Sequence, residues 1–254
     1  MATTAFNPPI RHHANPPGVG IIETEGLLIA EHALWYVIAH RQLGALTGIA
    51  GTGKTFALQV LLRARSDIRV VWIEVQVKPT MLSIARVLAL ALLGEVPRGS
   101  RHELSYHLQD ALVDQSGEVP LVVVFDEAQR LNNECAEYLR YLHDPQDTSF
   151  AMLLAGGNGC WETIRREPML HSRVHEPVFF KPLGEKALLQ MLPNYHPMYE
   201  HADSELLLEV DQQRCHGILR HWSAFTASAA QLLAPRGEQT LTGAIAEVVL
   251  RQPT

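Results

Sequence analysis

Residues 48–55 read GIAGTGKT, and every fixed position of the pattern G-x-x-x-x-G-K-[ST] is filled, by Gly48, Gly53, Lys54 and Thr55. Elementary chemistry accounts for these residue types. Glycines at 48, 51 and 53, with Thr52 between, let successive backbone N–H groups turn inward around phosphate oxygens with no Cβ in the way. A helix beginning at Lys54 would offer the positive end of its dipole to the same anion. Lys54 would reach the outer phosphates of a nucleotide, and the Thr55 hydroxyl would ligate Mg²⁺. The plainer alternative is a glycine-rich turn that matches by chance. Its flanks argue against that: LGALTGIA (43–50) is a short apolar run entering the loop, and TFALQVLLRAR (55–65) continues as helix.

Further along, residues 121–131 read LVVVFDEAQRL. Val122, Val123, Val124 and Phe125 predict a strand buried on both faces, so Asp126 and Glu127 emerge at its C-terminal end, where open parallel sheets bind ligands. Asp126 would hold Mg²⁺ through its water shell, and Glu127 would orient and polarise an attacking water. Acidic residues after a strand often do no more than begin a solvated helix. Paired with the loop at 48–55, they point instead to an ATP hydrolase that uses water rather than transferring phosphate to a substrate. No NKxD guanine-reading motif is present, which favours ATP over GTP.

The remaining pattern predicts an α/β fold: a parallel sheet with helices on both faces and a small C-terminal helical lid. Helix is expected over 21–43, 80–94, 102–115 and 132–143, and over 162–173 with a break near Pro168. Strands are expected at 69–77, 149–157 and 177–183. Beyond Gly184 strand character ends, and EKALLQML, SELLLEVDQQRC, ILRHWSAFTASAAQLLA and TGAIAEVVLRQ all read as helices. The organisation is then a flexible Pro-rich arm over 1–20, an α/β core over 21–183 and a lid over 184–254.

Composition sets the outer limits. With 254 residues, 47% hydrophobic and 19% charged, the chain can bury a real core and is too apolar to be disordered. No apolar run approaches the roughly 18–20 residues needed to cross a bilayer, and MATTAFNPPIRHHANPPGVG lacks an export region. A cytoplasmic location without membrane contact is the expectation. Cys135, Cys160 and Cys215 are odd in number and far apart, which reads as buried free thiols. No HExxH or Cys/His cluster suggests a resident metal, and His12 and His13 offer at most an adventitious one. The net charge is −6, so nucleic acid could bind only a local patch, or a patch multiplied by assembly.

GIAGTGKT, FDEAQRL and the later AMLLAGGN together resemble an AAA+ ATPase, over roughly residues 22–235. The DEAQRL form and the small size are similar to transposition ATPases of the TniB, TnsC and MuB type, and ExeA-like ATPases share that motif form. The resemblance implies ATP and Mg²⁺ as ligands and a homo-oligomer, ring or helical filament, on double-stranded DNA. It implies recruitment of a transposase and a target-site adaptor protein as a further partner. By position, Asn158 would be the sensor between the two motifs, or simply a turn residue in GGNG. Arg173 falls where such families carry an arginine finger, with Arg165 and Arg166 competing, and Arg220 loosely matches the second sensor. Lys78, Thr80, Arg98, Ser100 and Arg101 would contact DNA phosphates, or be ordinary cap and loop residues. An appended DNA-recognition module of the MuB kind is not evident. The alternatives are an ExeA-like ATPase of a secretion or envelope machine, and a nucleotide-gated signalling switch.

Overall fold

Three unbroken apolar runs build the centre of the sheet, as strands covered on both faces must. They are β1 (Leu43–Gly48), β3 (Leu121–Asp126) and β4 (Ala151–Ala155), with all residues of β3 and β4 buried. The computed structural model describes residues 10, 12–114, 119–144 and 149–252. With β2 (Arg69–Glu74) and β5 (Val174–Phe180) they form one five-stranded sheet in the order β2-β3-β4-β1-β5. β1 pairs parallel with β4, and β3 pairs parallel with both β2 and β4.

The register aligns the C-terminal ends. Glu74 pairs with Asp126, Phe125 with Leu154 and Leu46 with Ala155, so Asp126, Ala155 and Gly48 all come out at one edge. β5 begins three residues before the expected 177 and stops at Phe180. It is an edge strand, and that position tolerates Pro177, which has no N–H to give a second neighbour.

The described residues fall into two compact units. One takes residues 29–48 and 57–179. Its core joins β1, β3 and β4 to α3 (Met81–Leu93), α4 (Arg101–Asp114) and α5 (Asn133–His143) through Leu88, Leu108, Phe125 and Leu139. α6 (Cys160–Arg165) and α7 (Pro168–His171) follow β4, with the expected break at Pro168. The helices start on built caps. Thr80 and Ser83 form a reciprocal capping box on α3, Asn132 accepts from Cys135 N on α5, and Ser100 and Glu103 exchange bonds on α4.

The second unit takes residues 10–28, the loop 49–56 and the chain from Phe180 on. Its helices are α8 (Glu185–Tyr195), α9 (Ser204–Val210), which runs into a π-helical turn at Asp211–Cys215, α10 (Leu219–Leu233) and α11 (Gly243–Leu250). Trp222, Tyr199 and Phe225 fill the core, where the Tyr199 hydroxyl meets Thr226 Oγ1 at 2.7 Å. Asp211 Oδ1 accepts from both Trp222 Nε1 and Gly217 N.

Two helices cross the division. α1 (Glu25–Ala39) starts later than expected because Thr24 caps it, accepting from Leu27 N. α2 (Lys54–Arg63) follows the glycine loop. Of the arm expected over 1–20, residues 1–9 and 11 lie outside the described residues, as does the end of the expected helix at 115. From His12 the chain is held: Gly20 N donates to Tyr195 O, His196 Nε2 to Pro17 O, and Ser223 Oγ to His13 O.

Candidate functional site

The loop between β1 and α2 closes on itself. Thr52 donates through N and Oγ1 to the Ile49 carbonyl, at 3.4 and 2.8 Å, and Lys54 Nζ donates to the same oxygen at 2.7 Å. Thr52 and Lys54 are 4% and 7% exposed, so an ammonium is held inside a turn of backbone. A buried cation needs oxygen partners, and the Ile49 carbonyl is one of them. Thr55 is the second residue of α2 and half-buried.

Gly51 and Gly53 make this closure possible, with φ of 84° and 101°. At Gly51 a Cβ would stand 2.8 Å from both Arg220 Cβ and Ile218 Cγ2, and at Gly53 it would meet Leu219 Cδ1 at 3.1 Å. Arg220 N donates to Gly51 O at 3.0 Å. The start of α10 is thus seated on the loop, and Arg220 stands beside the cradle with its side chain exposed. Loop amides, a buried lysine and an adjacent arginine are a donor set that fits a polyphosphate.

His12, read at most as an adventitious metal ligand, packs against Phe56 of α2 (ring centroids 4.7 Å) and Tyr195 (5.7 Å). Burial holds its pKa below the ordinary histidine value, which favours the neutral ring. No cluster of three or more His, Cys, Asp or Glu suited to a metal exists among the described residues. The three cysteines are free and buried, as expected.

At the end of β3, Asp126 is 8% exposed and its Oδ1 accepts from Glu127 N at 2.9 Å. Glu127 sits in the left-handed region (φ 61°, ψ 34°), a backbone state that non-glycine residues adopt at a cost. Its Oε2 accepts from Gln129 Nε2 at 2.7 Å and lies 3.1 Å from Arg130 NH2. Gln129 Oε1 in turn accepts from Gly157 N at 2.8 Å, next to Asn158. Asn158 is exposed in the turn that joins β4 to α6.

The finger candidates separate. Arg173 is engaged within its own chain: Nε and NH2 reach Asp144 at 2.6 and 2.9 Å, and NH1 donates to Met169 O. Asp144 also pairs with Arg140 at 2.6 Å. Asp144, invisible in the motif, thus binds both arginines within this chain. Arg165 and Arg166 are exposed.

The DNA candidates converge on one helix end. Asn132, the cap of α5, donates to Pro79 O between Lys78 and Thr80, and Arg101 lies 3.9 Å from Glu134 in the first turn of α5. Lys78 and Arg101 are exposed, as is Arg98 in the preceding loop. The hydroxyls of Thr80 and Ser100 are committed to their caps, which supports the cap reading for these two. Ser100 N–H holds the Glu103 carboxyl below its usual range.

Residues 38–164, half of the chain, match the family model described as AAA domain. The chain belongs to the AAA domain family. No curated protein matches it. Among solved structures this AAA domain is similar to Cdc6p of Pyrobaculum aerophilum, with TM-score 0.71 and 17% identity, covering 95% of this chain and 71% of that one. It is similar to the ORC1 protein of Aeropyrum pernix in complex with DNA, with TM-score 0.66 and 19% identity, covering 91% and 65%. The RuvB Holliday junction branch migration motor of Thermotoga maritima gives TM-score 0.58 at 15% identity, covering 90% and 69%. At such identities the likeness is one of fold. Among the described residues no helix is long and apolar enough to cross a membrane.

Proposed function

We propose that this AAA domain binds ATP with Mg²⁺, hydrolyses it, and assembles on duplex DNA in its ATP state to recruit or regulate a transposase. The observation that carries the nucleotide reading is the closed glycine loop with Lys54 buried inside it. On this reading Lys54, the loop amides and Arg220 neutralise the phosphates. Thr55 and Asp126 hold Mg²⁺, which would supply charge neutralisation on the phosphate oxygens. Glu127 accepts a proton's hydrogen bond from the attacking water, and Asn158 steadies that water. An exposed arginine, Arg165 or Arg166, completes the site of a neighbouring subunit.

The DNA reading is supported by Lys78 and Arg101 lying beside the first turn of α5, with Arg98 exposed in the loop that precedes Arg101. It is also supported by the company of the fold, since one similar structure is a DNA complex. The transposase, and an adaptor at the target site, rest on the resemblance carried by the DEAQRL form and the small size.

Glu127→Gln tests both halves. It should bind ATP and hydrolyse it slowly, and coat random-sequence duplex DNA with ATP but not ADP, as read by gel shift and electron microscopy. Lys54→Ala should do neither. DNA binding in neither nucleotide state would refute the DNA reading, and wild-type turnover by Glu127→Gln would refute the water-polarising role.

A further inference from the structure

We propose that Gln129 and Arg130 are positioning residues for Glu127: they grip one carboxylate oxygen and leave the other for the attacking water. The inference rests on the hydrolytic reading above. Glutamate has a flexible side chain, and that of Glu127 is part-exposed. Its Oε2, however, takes a hydrogen bond from Gln129 at 2.7 Å and an ion pair from Arg130 at 3.1 Å. A carboxylate has about four acceptor sites over two oxygens, so Oε1 stays able to accept from water.

The two donors are themselves fixed. Gly157 N–H donates to Gln129 Oε1 at 2.8 Å, which makes the other end of that amide, Nε2, face Glu127. A Cβ on Gly156 would lie 2.5 Å from Gln129 Oε1, so the glycine is what leaves the amide room. Arg130 NH1 donates to Val75 O at 2.7 Å and lies 3.5 Å from Glu74 Oε1. The short turn Ala128–Arg130, closed by Arg130 N to Glu127 O, brings both side chains back over the carboxylate. The left-handed conformation of Glu127 belongs to this design, since it starts the turn.

The anchors come from both strands that flank β3. Val75 follows β2 and leads into Lys78 and Thr80, while Gly157 follows β4 and precedes Asn158. Glu127 is thereby referenced to the two segments that carry the DNA and sensor candidates. A shift of about 1 Å in a catalytic group can cost about 100-fold in rate, so this reference matters to turnover.

The experiment is a double-mutant cycle on ATP hydrolysis, with melting temperature as a check on folding. Gln129→Ala and Arg130→Gln should each lower kcat about tenfold or more, with KM within about twofold. Arg130→Lys keeps the charge but lacks the planar fork that spans Glu127 and Val75 O, so it should fall between. In a Glu127→Ala background, followed in single turnover, neither change should slow the residual rate further. Losses that multiply in that background, a rise in KM with kcat unchanged, or full kcat in both single variants would overturn the positioning role. A wild-type protein that hydrolyses no ATP would overturn the hydrolytic reading itself, which the other outcomes leave standing.

Discussion

Replacing Gly51 by alanine should destabilise the unit that holds the glycine loop, and the size of the effect can be worked from two contacts. The backbone there has φ of 84°, and placing a Cβ in the left-handed region costs about 1–2 kcal/mol. The new methyl would also stand 2.8 Å from Arg220 Cβ and from Ile218 Cγ2, neither of which is the far end of a flexible chain. Overpacking of this kind costs about 1–3 kcal/mol, giving a total of about 2–5 kcal/mol. Gly53→Ala is the control. It shares the backbone cost, with φ of 101°, but meets only Leu219 Cδ1 at 3.1 Å, a terminal methyl that can turn aside. It should cost about 1–2 kcal/mol. Urea unfolding of the two variants without nucleotide reads the difference directly, and adding Ile218→Ala to Gly51→Ala should recover part of it. Equal stability of the two alanine variants would refute the seating of α10 on the loop, and with it the placement of Arg220.

Three more outcomes are expected. Arg165→Ala or Arg166→Ala should abolish ATP hydrolysis while keeping nucleotide binding, and mixing with Lys54→Ala subunits, whose arginines are intact, should restore it. Arg173→Ala should mainly lower the melting temperature, by an amount near the ~1 kcal/mol of a part-exposed ion pair, because it strips Asp144 of one partner; the reverse pattern would return the finger to Arg173. Acidification should destabilise the fold before the carboxylates titrate. Burial holds His12, His143 and His196 below the ordinary histidine value of 6.5, so below about that pH the unfolded chain binds protons that the folded chain refuses. Stability is then intact above pH 6.5 and falls as the pH drops beneath it; melting temperatures that stay flat from pH 7 to 5 would contradict this.

The glycine loop and the acidic strand end were legible because their chemistry is local. A loop that cradles phosphate needs glycine, lysine and threonine at fixed spacing, and a strand buried on both faces has to be apolar along its length. The order of the strands, with β4 between β1 and β3, is not local and came only from the structure. Apolar Ile21 and Ile22 continue the pattern of α1, yet the helix starts at Glu25, because Thr24 accepts the cap bond that decides where helix begins. The pairing of Arg173 within its own chain is hidden from the sequence for the same kind of reason. A motif position records one residue, and Asp144, which occupies that guanidinium, lies 29 residues away in chain order. Gln129 and Arg130 stood in the quoted motif without a role, since nothing in DEAQR reveals that Glu127 turns left-handed and folds its neighbours back onto its own carboxylate.

Charge joins the nucleotide reading to the DNA reading. A molecule with a net charge of −6 is repelled by duplex DNA at long range, and one subunit offers Lys78, Arg98 and Arg101 against it, with Glu134 and Glu103 close by. Three phosphate contacts give a salt slope of only about −3 and weak binding at physiological ionic strength. The hydroxyls of Thr80 and Ser100 add little while they cap their helices. Such a face holds DNA only when many copies engage at once, because each further contact is then made at high effective concentration. On the proposed DNA reading, assembly is therefore a requirement and not an embellishment. On that reading the exposed Arg165 and Arg166, and Arg220 on the glycine loop, are the candidates through which bound ATP would set assembly. If the proposed reading holds, nucleotide site and DNA face depend on each other: without ATP-driven association three basic side chains are too few to hold DNA.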